Sequence, residues 1–292
     1  MTTDTPNAAA PAVDLRAGPL RLALRPDLGG SIAGLWRDEW AVMRSSEPAA
    51  LASSRLSACF PLVPYSGRLG YRRFRWMGHE HTTQPNFDDS PHSLHGVAWQ
   101  RPWRVAASTA TSATLALVHP GDAHWPFAFS AEQEFELTAD VLTCRMTVTN
   151  TAAHPQPIGL GWHPYFPKRP RSRLHVESRE RWETDPTGLP TRHVPHSGID
   201  ADVAHLDYDH CFEGSGGAAR IRDERLSLRM TSSLPYLVVF TPPLREYFCV
   251  EPVSHVANAI HMSDPAAHGL ATVAPSARVE AWMRLEIGAV RG

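Results

Sequence analysis

The sequence predicts an all-β protein, a large sandwich of antiparallel sheets, and three observations carry the prediction. Apolar residues recur at every second position in several segments. Patterns with helical spacing are scarce. The 292 residues include 26 prolines, roughly twice the usual share of about 5%. Period-two alternation puts one side of a strand in a core and the other in water. Prolines between such runs mark loops and edge strands, because proline cannot donate to a ladder.

Taken in order, Leu20, Leu22 and Leu24 share one face of a short strand that ends at Pro26. Phe135 and Leu137 alternate with Glu134 and Glu136. Leu142, Cys144, Met146 and Val148 alternate with Thr143, Arg145, Thr147 and Thr149. Leu226, Leu228 and Met230 repeat the pattern, and so do Val279, Ala281, Met283, Leu285 and Ile287. Leu237-Val238-Val239-Phe240 is apolar on both faces, which suits a strand inside the sandwich. Residues 200–206 offer a turn or two of helix. Residues 1–14 read as a flexible tail of small residues and proline, and residues 15–292 as a single sandwich domain.

Composition limits the partners. Charge is balanced, 28 Lys+Arg against 30 Asp+Glu, so no broad field favours nucleic acid or an anionic membrane surface. The amino-terminal residues lack the basic and apolar regions of a secretion signal, and no apolar run is long enough to span a bilayer. Cys59, Cys144, Cys211 and Cys249 are widely spaced, with no C-x-x-C pair, which argues for reduced thiols in a cytoplasmic protein. The pairs His79/His81 and His92/His95 bring imidazoles together, but no glutamate follows at metal-ligand spacing. For His79 and His81, exposed turn residues before a strand are the better reading, and no metal is expected.

Five stretches, residues 59–68, 91–103, 159–167, 209–212 and 248–259, concentrate His, Gly, Pro and aromatics. Loops of this kind suit a ligand-binding edge on a rigid scaffold. Within them stand Ser66-Gly67-Arg68, Ser93-Leu94-His95-Gly96, His163-Pro164-Tyr165-Phe166, Asp209-His210-Cys211-Phe212 and Cys249-Val250-Glu251. In this order they resemble the motifs of the aldose 1-epimerase (galactose mutarotase) family, and the similarity runs from about Leu20 to Ile287. The resemblance implies a galactose mutarotase-like supersandwich and an isomerase acting on a small-molecule aldose. The family's serine-asparagine-arginine turn carries Gly67 in place of the asparagine that helps fix the sugar.

By the same resemblance Glu251 is the catalytic base and His163 the catalytic acid, while Arg68, His95 and Asp209 bind sugar hydroxyls, with His95 near the ring oxygen. His92, Trp162, Tyr165 and His255 are implied as supporting or stacking residues. Context alone leaves Glu251 equally compatible with a surface carboxylate paired to arginine. It leaves His163 compatible with a core histidine, and Asp209 with a routine turn residue. Anomer interconversion needs a base on the anomeric hydroxyl and an acid on the ring oxygen, held on either side of the hemiacetal; it needs no cofactor. Two alternatives use the same scaffold. One is a hexose-6-phosphate 1-epimerase, with Arg72, Arg73 and Arg75 nearest to hand for a phosphate. The other is a carbohydrate-binding protein without catalysis.

Overall fold

Alternation in the sequence becomes alternation in burial along the strands. In the computed structural model, which describes residues 12–87 and 90–290, the strand Phe129–Leu137 buries every second residue and exposes its glutamates. Val141–Asn150, Leu226–Ser232 and Arg278–Ala289 do the same. Among the described residues these strands belong to a nine-stranded sheet. Its order is Arg104–Ser108, Ser112–His119, Phe129–Leu137, Val141–Asn150, Arg278–Ala289, Leu226–Ser232, Ala219–Arg222, Arg173–Val176, Ile199–Asp202, with every neighbouring pair antiparallel.

A second, eight-stranded sheet carries the chemistry. It runs Pro190–Pro195, Glu180–Thr184, Asp209–Glu213, Tyr236–Phe240, Tyr247–Val253, Gly161–Trp162, Pro61–Leu62, with Tyr165–Pro167 also paired to Tyr247–Val253. A four-stranded sheet, Val13–Ala17, Leu20–Arg25, Ser31–Arg37, Trp40–Ala41, completes the large layers. Inner faces of all three contribute to one buried cluster, including Leu22, Phe135, Met146, Phe212, Val239 and Val250.

Three expectations change in detail. Val13 and Asp14, read as the end of the tail, pair with Leu24 and Ala23; residues 1–11 lie outside the described residues. Residues 200–206 form no α-helix: Ile199–Asp202 is an edge strand, followed by one 3-10 turn, Val203–His205. The segment from Leu237 to Phe240 is not buried on both sides. Leu237 and Val239 enter the core, whereas Val238 and Phe240 are partly exposed and line a cleft.

Candidate active site

Register places the polar groups. In the ladder, Cys211 faces Val238, which faces Glu251; one row further, Asp209 faces Phe240, which faces Cys249, which faces Tyr165. Residues two apart share a face, so Asp209, Cys211, Cys249 and Glu251 all stand on the side of the sheet opposite Val239 and Val250. His163 joins them from the short link between Gly161–Trp162 and Tyr165–Pro167, its N–H donating to the Phe60 carbonyl at 3.0 Å.

The floor belongs to an open cleft of about 630 Å³, and Arg68, His95, His163, Asp209 and Glu251 all line it. Glu251 Oε1 lies 3.3 Å from His163 Nε2, with both side chains buried. The imidazole is held between the Tyr165 ring, stacked at 4.5 Å, and the Phe60 ring at 4.7 Å. His95 meets it edge-on at 5.2 Å. The acid and base predicted on opposite sides of a hemiacetal therefore sit in contact, side by side.

Electrostatics follow from the same burial. Loss of solvent pushes the Glu251 carboxyl well above its ordinary range; the Asp209 charge adds to this and the Arg68 guanidinium opposes it. Burial holds His163 well below 6.5, helped by His95 and Arg44. His95 is pushed down to about 3, first by burial and then by Arg68, so it is neutral near pH 7. Its Nδ1 accepts the Gly67 N–H at 3.2 Å, which leaves Nε2 as the protonated nitrogen. Arg68 Nη2 donates to Asp209 Oδ2 at 3.0 Å, joining two of the predicted binding residues to each other.

The supporting residues divide. Tyr165 lines the cleft. His255 is buried, donates from Nδ1 to the Val256 carbonyl at 2.7 Å, and accepts the Ser66 N–H on Nε2 at 3.0 Å, steadying the turn that carries Arg68. His92 Nδ1 accepts the Tyr71 N–H at 2.9 Å. Trp162, by contrast, packs in the core. At Gly67, with φ +65°, a Cβ would lie 2.8 Å from the Ala257 Cβ, so the neighbouring loop occupies the space an asparagine would need.

Sequence reasoning missed Arg44, Arg55 and Arg245, which line the cleft; Arg73 and Arg75 point into solvent, and neither they nor Arg72 reach it. The Arg44 guanidinium lies 3.7 Å over the Tyr165 ring and 4.9 Å over Tyr247. Arg55 lies 4.0 Å over the Phe87 ring, and this aromatic company of Arg44 and Arg55 is assembled by tertiary structure. His79 is exposed and His81 stacks on Phe74 at 5.1 Å. Among the described residues, the groups with metal-ligand proximity are His163/Cys249/Glu251 and Glu180/His193/Glu213, and neither contains His79, His81, His92 or His95.

The stacked antiparallel sheets form a galactose mutarotase-like fold: a galactose mutarotase-like protein from Clostridium acetobutylicum superposes with TM-score 0.83 at 18% identity, covering 96% of this chain and 95% of that one. The chain belongs to the aldose 1-epimerase family, whose model matches residues 11–286. It is 31% identical over 293 residues to the uncharacterized protein YphB of Escherichia coli K12, covering 94% of this chain and 97% of that protein. A crystal structure of a candidate aldose 1-epimerase from Escherichia coli K12 matches with TM-score 0.87 and 29% identity, covering 96% of this chain and 99% of the other. Among the described residues, no helix is long and apolar enough to cross a membrane.

Proposed function

We propose that this protein is a cytoplasmic aldose 1-epimerase that interconverts the α and β anomers of a free aldose, with Glu251 as base and His163 as acid. The observation that carries the reading is the 3.3 Å contact between Glu251 and His163 on the floor of the cleft. In a cyclic aldose the anomeric hydroxyl and the ring oxygen are bonded to the same carbon. Two adjacent groups can therefore reach both oxygens from one side, which suits the observed pairing better than a grip from opposite sides.

Proton accounting supports the assignment. Glu251 takes the hydroxyl proton while His163 gives one to the ring oxygen, the ring opens, and the C1–C2 bond turns before closure by the reverse transfers. Across the opening step the pair keeps one proton. It passes from carboxylate with imidazolium to carboxylic acid with imidazole. A buried site disfavours the separated charges, so the resting pair is held as carboxylic acid with imidazole. Shifting the proton to His163 is a cost of reaching the reactive form, and ring opening returns the pair to its favoured neutral state. Neutral His95 donates a hydrogen bond from Nε2 to the sugar, and Arg68 with Asp209 supplies a charged, directional pair for adjacent hydroxyls. These steps draw on protein groups alone. Four free, buried thiols fit a reducing compartment.

The pH profile follows from the direction of these shifts. The pair becomes inactive on gaining a second proton, and the group that takes it, His163, has its pKa lowered. We expect kcat/KM to hold as pH falls through 6.5 and to drop only at lower pH. A stopped-flow or polarimetric profile with its acid limb centred at or above 6.5 would contradict this assignment.

A second reading rests on Arg44, Arg55 and Arg245, since three guanidinium groups on the wall of one cleft suit an anionic group on the sugar. Mutarotation of glucose, galactose and their 6-phosphates, each started from one pure anomer, decides between the readings. Neutral sugars are expected to be turned over. A strong preference for a phosphate ester would favour the phosphate enzyme, and tight sugar binding without faster anomerisation would mean a binding protein.

A further inference from the structure

We infer that the base of the cleft is also an inhibitory site for a thiophilic divalent cation such as Zn²⁺, held by Cys249 Sγ, His163 Nε2 and a Glu251 carboxylate oxygen. Cys249 has no part in the proton exchange described above. It precedes Glu251 by two residues on the strand Tyr247–Val253, so both project from one face of the sheet, and the ladder fixes their spacing. One ligand atom from each of the three residues lies within 4.8 Å of the other two, and His163 presents Nε2 to the carboxylate.

The geometry agrees with a tetrahedral ion. Zinc bonds of about 2.0–2.3 Å to N, O and S at tetrahedral angles set ligand atoms roughly 3.3–3.7 Å apart. The His163–Glu251 separation of 3.3 Å already spans one such edge. The other two edges, to the Cys249 thiol, are at most 4.8 Å long and must shorten to this range when an ion binds. A soft sulfur ligand beside imidazole selects zinc or cadmium over magnesium or calcium. The fourth position faces the cleft, because His163 and Glu251 both line it.

Charge explains why an ion would be accepted at this depth. A thiolate and a carboxylate together neutralise a dication, leaving a site of no net charge, whereas either anion alone is costly to bury. Binding releases the thiol proton and the proton shared by Glu251 and His163, up to two protons per ion. Affinity therefore rises with pH. Occupancy removes both proton-transfer groups from service, so sugar and metal exclude each other.

The test separates binding from catalysis; only its inhibition arm rests on the epimerase reading. The full-length protein is titrated with Cd²⁺, following the ultraviolet thiolate-to-cadmium charge-transfer band, and then with Zn²⁺ in competition. We expect one ion per chain, a band that strengthens from pH 6 to pH 8, and loss of the band in both Cys249→Ala and Cys249→Ser. Cys211→Ala, which alters a cysteine that lines the cleft but lies outside the ligand set, keeps it. In chelator-buffered zinc, mutarotation by the unaltered protein is inhibited and recovers on adding excess chelator. The zinc concentration for half-inhibition, taken relative to each protein's own metal-free rate, rises on the order of a hundredfold in the Cys249 variants. Absence of a band in the unaltered protein, or a band that survives both Cys249 substitutions, overturns the proposal. A protein that binds Cd²⁺ through Cys249 yet has no mutarotase activity refutes the proposed function and leaves the metal site standing.

Discussion

Glu251→Gln is expected to slow mutarotation by at least about a hundredfold, within the usual 10²–10⁴ contribution of an acid–base group, while the protein still folds. Glutamine keeps the shape of the side chain, and its amide can still hydrogen-bond to His163 Nε2. What it loses is the ability to take a proton from the anomeric hydroxyl, so the loss should fall on kcat and leave KM within a few fold. Stability should respond in the opposite sense at alkaline pH. A carboxyl whose folded pKa is raised contributes stability that is full below its unfolded value near 4.5 and is lost as pH rises through the folded value. Glutamine has no proton to lose there. The variant should therefore match or exceed the parent in urea midpoint at pH 8–9. A variant that retains most of its kcat would remove Glu251 from the mechanism, whatever its stability.

The same residue shows what the sequence could and could not convey. Cys249-Val250-Glu251 alternates, so a strand with Glu251 and Cys249 on one face was legible. That this face is a cleft floor was not, because it depends on what lies two strands away. Leu237 to Phe240 misled for that reason: four apolar residues look doubly buried, yet Val238 and Phe240 supply the apolar floor beside Glu251. Residues 200–206 misled as well: Val203 and Leu206 fall three apart, a spacing that a helical turn shares. Pairing of Ile199–Asp202 with Arg173–Val176 at the sheet edge overrides it.

Arg44, Arg55 and Arg245 stayed invisible because no local pattern marks an arginine that reaches a pocket. They converge from separated segments, and Arg44 gains its position from ring contacts with Tyr165 and Tyr247 and from the Ser57 carbonyl, which accepts its Nη2 at 2.6 Å. The motif residues fared better for a physical reason. Asp209, Glu251 and the link residue His163 are placed by the register of the eight-stranded sheet, and Arg68 and His95 by the separate pairing of Arg68–Leu69 with Ser93–Leu94. Local strand pairing therefore fixes each group before the two meet at the cleft.

Gly96→Ala is expected to be the most damaging single-methyl change near the cleft, destabilising the fold by about 3 kcal/mol or more and disabling His95. Two costs combine. Gly96 has φ +67°, a region that alanine rarely occupies. A Cβ there would also lie 2.1 Å from the Val63 carbonyl oxygen and 2.6 Å from the Pro64 nitrogen. Backbone on that side cannot readily yield, since Val63 O already accepts the N–H groups of Val97 and Ala98 at 2.9 and 3.1 Å. His95 stands in the left-handed region as well, at φ +62°, with its N–H on the Gly67 carbonyl at 2.9 Å. Any shift at residue 96 is therefore passed to the imidazole and to the turn leading to Arg68. Gly78→Ala separates the two costs, because Gly78 sits at φ +86° in the hairpin between Arg73–Trp76 and His79–Thr82, where an added Cβ would meet nothing within 4 Å. It should show the backbone term alone, roughly 1 kcal/mol, and full mutarotation. Urea unfolding and polarimetry on the two variants measure the difference. If Gly96→Ala is no worse than Gly78→Ala, the close approach to Val63 does not constrain the site, and the placement of His95 must be secured by something other than this turn.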